Sequence, residues 1–101
     1  MATAYIREYA DIAVTSAKYA QAPAEPGLTE QTVTTSGTSA QSAAFNVNTR
    51  LIAISTPAAQ AVCVQFGTNP TATTSKLRLP ASSVFYFGVV PGHKVAFIDV
   101  T

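Results

Sequence analysis

The chain has 101 residues with 11% charged side chains, six basic against five acidic, for a net charge of +1. Soluble domains usually carry about 25% charged residues, and nucleic-acid binders show a basic patch or stripe, whereas Arg7, Lys18, Arg50, Lys76, Arg78 and Lys94 are scattered along this chain. One histidine and one cysteine supply neither a zinc ligand set nor an internal disulfide, and nothing in the composition points to a cofactor.

Length is that of one domain. No apolar run approaches the ~20 residues of a membrane-spanning helix. Glu8 and Asp11 fall where a secretory signal would need its apolar stretch.

Residues 1–28 show the weakest alternation. Tyr5, Tyr9 and Ile12 match one helical face, but Val14 and Thr15 are poor helix formers, and Pro23 and Pro26 end any helix. We expect an extended N-terminal arm over residues 1–28, with at most a helical turn at Tyr5–Ala10, and a β-domain over residues 29–101. The arm is too rich in aromatic and β-branched residues for a disordered tail. Its expected anchors on a partner are Tyr5, Ile6, Tyr9, Ile12 and Tyr19. Deleting residues 1–20 should then leave a folded β-domain.

Residues 29–36 and 39–46 read as two Thr-, Ser- and Ala-rich strands, joined at Gly37 in a hairpin. Residues 49–56 are apolar on both faces, with Ile52 and Ile54 on one and Leu51 and Ala53 on the other, as in a central strand. Residues 60–66 place Val62, Val64 and Phe66 together; Cys63, between two valines, is expected to be a buried thiol acting as a small hydrophobe. The polar stretch Gly67–Ser75 is expected on the surface, in contact with a partner. Residues 76–79 form a short edge strand blunted by Lys76, Arg78 and Pro80. Residues 83–90 hold the densest aromatic cluster, with Phe85 and Phe87 on one face and Val84 and Tyr86 on the other. Pro91-Gly92 has the residues of a type II turn, and His93–Val100 is the last strand. The pattern predicts an all-β domain, a small β-sandwich or jelly-roll-like barrel of about six to seven strands.

Catalytic signals are lacking. His93 has no second histidine and no carboxylate beside it in sequence, and it reads as a turn residue. The serines fit no G-x-S-x-G pattern, and Thr71–Ser75 is no phosphate-binding loop. We expect no enzyme, no metal and no small-molecule substrate.

Three stretches carry a resemblance: Ala40-Gln-Ser-Ala-Ala-Phe-Asn-Val-Asn-Thr-Arg50, Val64-Gln-Phe-Gly-Thr-Asn-Pro-Thr-Ala-Thr-Thr-Ser75 and Tyr86-Phe-Gly-Val-Val-Pro-Gly-His-Lys94. The chain resembles the small capsid decoration, or cement, proteins of tailed bacteriophages. The resemblance implies a virion protein made in the host cytoplasm that coats the capsid surface. It also implies a major capsid protein as partner and self-association as a trimer or dimer. A neck, tail or fibre-attachment protein, or a carbohydrate- or receptor-binding module, is the alternative.

Overall fold

Period-two alternation builds almost every element of this chain. The computed structural model describes residues 2–14 and 19–100, without the side chains at 13–14 and 19–21. Ten strands form among the described residues: β1 (Ala2–Tyr9), β2 (Ile12–Val14), β3 (Tyr19–Pro23), β4 (Thr29–Thr35), β5 (Ala40–Gln41), β6 (Leu51–Ser55), β7 (Val62–Gly67), β8 (Leu77–Leu79), β9 (Val84–Gly88) and β10 (Lys94–Asp99). One sheet has the order β4-β1-β6-β9, the second β5-β10-β7-β8, and β2 pairs with β3 in a separate ribbon. All pairings are antiparallel. The all-β expectation holds, in a sandwich-like form with more strands than the six or seven expected.

The core lies between the two sheets. Ala4 and Ile6 of β1, Val33 of β4, and Ile52 and Ile54 of β6 face Val62 and Val64 of β7 and Val95 and Phe97 of β10. Burying each large apolar side chain stabilises by roughly 1.5–3 kcal/mol, and Phe97, Ile6, Ile52 and Ile54 are the largest fully buried ones. The strand at residues 49–56 is interior, as its two apolar faces require, and β8 is an edge strand. At the β9–β10 connection the His93 N–H donates to the Val90 carbonyl (3.1 Å), and Gly92 has φ +82°. That left-handed value is what a type II turn asks of its third residue.

Two expectations are corrected. First, residues 1–28 do not form an arm separate from the domain. β1 is an interior strand, paired with β4 along one side and β6 along the other, and Ala4 and Ile6 sit in the core. Flanked by two partners, its alternation of buried Ala4, Ile6 and Glu8 with exposed Tyr5 and Arg7 is a strand signal hidden by the small alanine and the acidic glutamate. Among the described residues of this segment, 10–14 and 19–28 lie outside the sheet and carry the β2–β3 ribbon.

Second, the hairpin at Gly37 does not form. β4 and β5 belong to different sheets, so the chain crosses from one sheet to the other here. β5 is only two residues long. Beyond it Ser42 joins β10 by one backbone and one side-chain bond: its N–H donates to the Val95 carbonyl (2.8 Å), and the Val95 N–H donates to its Oγ (3.0 Å).

The Gly67–Ser75 loop lies on the surface, as expected, with Thr68, Asn69, Thr71, Thr73, Thr74 and Ser75 exposed. It folds over the outer face of the second sheet, with Pro70 and Ala72 buried. Gln41 Nε2 donates to the Pro70 carbonyl (2.7 Å), and the Ala72 N–H donates to Ser39 Oγ (2.9 Å). Beneath it Cys63 is 1% exposed, and its thiol reaches the Thr74 carbonyl at 3.6 Å.

The interior position of β1 reverses the expected outcome of truncation. A chain lacking residues 1–20 should not fold, showing no cooperative thermal transition by circular dichroism. Ile6→Ala should cost about 2–5 kcal/mol, read from the urea midpoint.

Candidate functional site

The two sheets differ in how their outer faces are covered. The second sheet is capped by the 68–75 loop, and Ala96 and Cys63 on its outer side are almost fully buried. Among the described residues the first sheet has no such cap. Its outer-facing side chains form rows fixed by strand register: Thr32–Tyr5–Ser55–Val84 and, one pleat further on, Glu30–Arg7–Ala53–Tyr86. Tyr5 is 58% exposed, Tyr86 57% and Val84 55%. The centre of each row is small (Ser55, Ala53), so the larger side chains rise around a shallow trough of about 760 Å³.

The trough continues in both directions. Toward the ribbon it meets a cleft of about 230 Å³ lined by Ile12, Ala22, Pro23, Leu51 and Tyr86. At the other end Thr3, Thr56, Ala58, Ser82 and Ser83 extend it past Tyr5 and Val84. Tyrosines over small residues give a surface with apolar area and hydroxyl tips, the composition enriched where proteins meet.

One ionic cluster borders the trough. Arg7 Nε donates to Glu30 across the β1–β4 pair, and its Nη1 lies 3.4 Å from Glu25. The hydrogen bond to Glu30 raises the Arg7 guanidinium above its ordinary value. Both partners are exposed, so this pairing adds little stability. Tyr9 lies below, almost fully buried, and its hydroxyl donates to Glu25 Oε2 (2.8 Å). Burial first, and then the Glu25 carboxylate, push the Tyr9 phenol up from 10.

Glu8 faces the opposite way. It is 1% exposed, at one end of the core. Its Oε1 accepts from the Asn46 N–H (2.8 Å) and the Thr49 hydroxyl (2.7 Å), and its Oε2 accepts from Gln31 Nε2 (3.1 Å). Gln31 in turn accepts from the Ala43 N–H (2.9 Å). This carboxylate ties β1 and β4 to the irregular chain between β5 and β6. Both oxygens are engaged, and Glu8 lines none of the clefts described above, so its work is structural.

The five expected anchors scatter. Tyr5 stands on the trough. Ile12 lines the ribbon cleft. Ile6 is in the core and not on the surface, and Tyr9 is 4% exposed at the border of the trough. The side chain of Tyr19 lies outside the described residues. Sequence reasoning missed Val84, Tyr86, Ala53 and Ser55, because their common face exists only once β1, β6 and β9 are placed side by side. The signal that could have found them was the alternation in β9, where Val84 and Tyr86 oppose the inward Phe85 and Phe87. His93 shapes its turn through its backbone, its carbonyl accepting from the Phe45 N–H (2.8 Å). Among the described residues no group of three or more His, Cys, Asp or Glu is placed to hold a metal ion.

No family model, curated protein or solved structure matches this chain.

Two measurements test the polar architecture. Glu8→Ala strands three donors at a buried site and should destabilise the fold by about 3 kcal/mol in urea titration. The raised Tyr9 phenol means that the folded state holds this proton more tightly than the unfolded chain does. Its contribution is complete below about pH 10 and lost as pH climbs through the folded-state value. Chemical denaturation at pH 9 and above should show wild-type stability falling more steeply than that of Tyr9→Phe.

Proposed function

We propose that this chain is a structural virion protein, a capsid decoration protein that seats the bare face of its first sheet on major capsid protein subunits and thereby stabilises the shell. The observation that carries this reading is the asymmetry between the sheets. A loop of the chain itself covers the outer face of the second, while the first presents Tyr5, Val84 and Tyr86 around a small-residue floor. The low charge of the chain and its likeness to phage decoration proteins favour a protein partner. Many copies on a repeating shell need only modest affinity each when several contacts are linked.

A tyrosine-bearing trough bordered by Arg7 and Glu30 is also a surface on which a sugar can stack and hydrogen-bond. This observation favours a carbohydrate-binding module as the second reading.

The two readings separate in one comparison. Shells assembled from the major capsid protein of the same particle should carry it into the pellet in saturable, high copy number. Ser55→Lys, which sets a charge into the floor between Tyr5 and Val84, should weaken that binding about tenfold or more, the scale of a hot-spot loss. A protein that stays in the supernatant with every shell, yet gives hits on a glycan array that Ser55→Lys removes, would replace the capsid reading with the carbohydrate one.

A further inference from the structure

β9 is an edge strand, and its edge is unprotected. Natural sheet edges are usually blunted by charge, proline, a bulge or a covering segment. The edge strand β8 follows this rule, with Arg78 in the strand and Lys76 and Pro80 beside it. The five residues of β9, Val-Phe-Tyr-Phe-Gly, contain no charge and no proline. Among the described residues no strand lies beyond it.

The pairing of β9 with β6 fixes which backbone groups point outward. The Val89 N–H donates to the Arg50 carbonyl and the Thr56 N–H to the Ser83 carbonyl, both at the ends of the pairing. Antiparallel pairs alternate between hydrogen-bonded and non-hydrogen-bonded, and the register sets Ile52 opposite Phe87 and Ile54 opposite Phe85. Residues 83, 85, 87 and 89 therefore bond inward to β6. The N–H and C=O groups of Val84, Tyr86 and Gly88 point to the open edge.

The core is also unsealed on this side. Leu77 of β8 pairs with Val64 and shares its inward face, yet it is 56% exposed. Phe85 and Phe87 are only partly buried, and Phe87 meets Phe66 at a ring separation of 5.1 Å. On the opposite side β4 lies against β5 and β10, and Val33 and Phe45 are fully enclosed.

We propose that the open edge of β9 is the site where a second copy of this chain adds its own β9, antiparallel about a two-fold axis at Tyr86, joining the two four-stranded sheets into one continuous sheet. Three features select a second copy over a foreign strand. The strand is nearly a palindrome about Tyr86, so reversal sets Phe85 against Phe87 and Val84 against Gly88. The same register brings together the residues whose backbone groups are exposed, giving about six new ladder bonds. Two-fold pairing sets like against like, and a strand without charge meets no repulsion in doing so. Phe85 and Phe87 of both copies would meet at the seam and close the gap beside Leu77. The strand spans only about 17 Å, so a dissociation constant of roughly micromolar order is expected. This inference does not rest on capsid binding: it concerns the purified chain alone and is read by a different measurement.

Sedimentation velocity of the full chain over a range of concentrations tests it. The expected result is a reversible monomer–dimer equilibrium. Tyr86→Lys, whose side chain points to solvent and is compatible with folding, places two like charges at the axis and should weaken the dimer about tenfold or more. Tyr86→Glu should do the same. An equimolar mixture of the two variants should recover the dimer, since only a residue that faces its own counterpart is rescued in this way. Thr32→Lys on the opposite edge strand should leave dimerisation unchanged. A wild-type chain monomeric throughout overturns the proposal, as does a dimer indifferent to Tyr86→Lys, or a mixture of folded Lys and Glu variants that stays monomeric. Should Tyr86→Lys lose its native circular dichroism, Val84→Pro replaces it: it removes an N–H that points to the open edge and should likewise weaken the dimer.

Discussion

A carboxylate inside a β-sandwich is costly unless its oxygens find donors, and Glu8 finds three. It stands on the last inward position of β1, and its donors come from β4 and from the irregular chain leading into β6. β1 is thus held laterally by ladders to β4 and β6 and capped at its end by a polar lock. Ile6, two residues earlier on the same face, supplies the apolar half of the same role. Take β1 away and, among the described strands, β4 loses its one sheet partner, β6 loses one of two, and the segment from Ala43 to Thr49 loses its anchor.

With β1 placed, the remaining surface follows from which faces get covered. A polar loop folds over the second sheet and seals Cys63 and Ala96 beneath Pro70 and Ala72. The first sheet keeps an outer face of two tyrosines and a valine around Ala53 and Ser55. A small domain buries a modest fraction of its surface, and here Tyr5, Val84 and Tyr86 gather part of the exposed apolar remainder on one face, while Val47 and Leu28 are exposed elsewhere.

That face and the open edge meet at β9. Tyr86 lies in the outer row of the first sheet, and its backbone groups point along the plane to the open side. Pairing of two chains at this edge would double the width of the tyrosine-bearing face without covering it. Assembly and partner binding would then use different directions of the same strand and would not compete.

Much of this was legible in the residues. Alternation located β4, β6, β7, β8, β9 and β10 within a residue or two, marked β6 as interior through its two apolar faces, and gave the Pro91-Gly92 turn through the conformational needs of its two residues. The buried thiol of Cys63 was legible too. β1 was not, because its inward positions read Ala, Ile, Glu, and a glutamate counts against burial until its donors are known. The seven residues that line the two central rows of the trough beside Tyr5 were also illegible, since they come from four strands far apart in sequence.

What the sequence by itself determined is local: which segments extend, which side of each is apolar, and where the chain turns, because these depend on side-chain type and spacing within a few residues. What only the tertiary structure decided is the order of strands in each sheet, the cap over one outer face and the bareness of the other, and the open edge at β9. Those depend on long-range pairings, such as Glu8 with Thr49 or Ser39 with Ala72, whose partners are indistinguishable from any other polar residue until the chain has closed on itself.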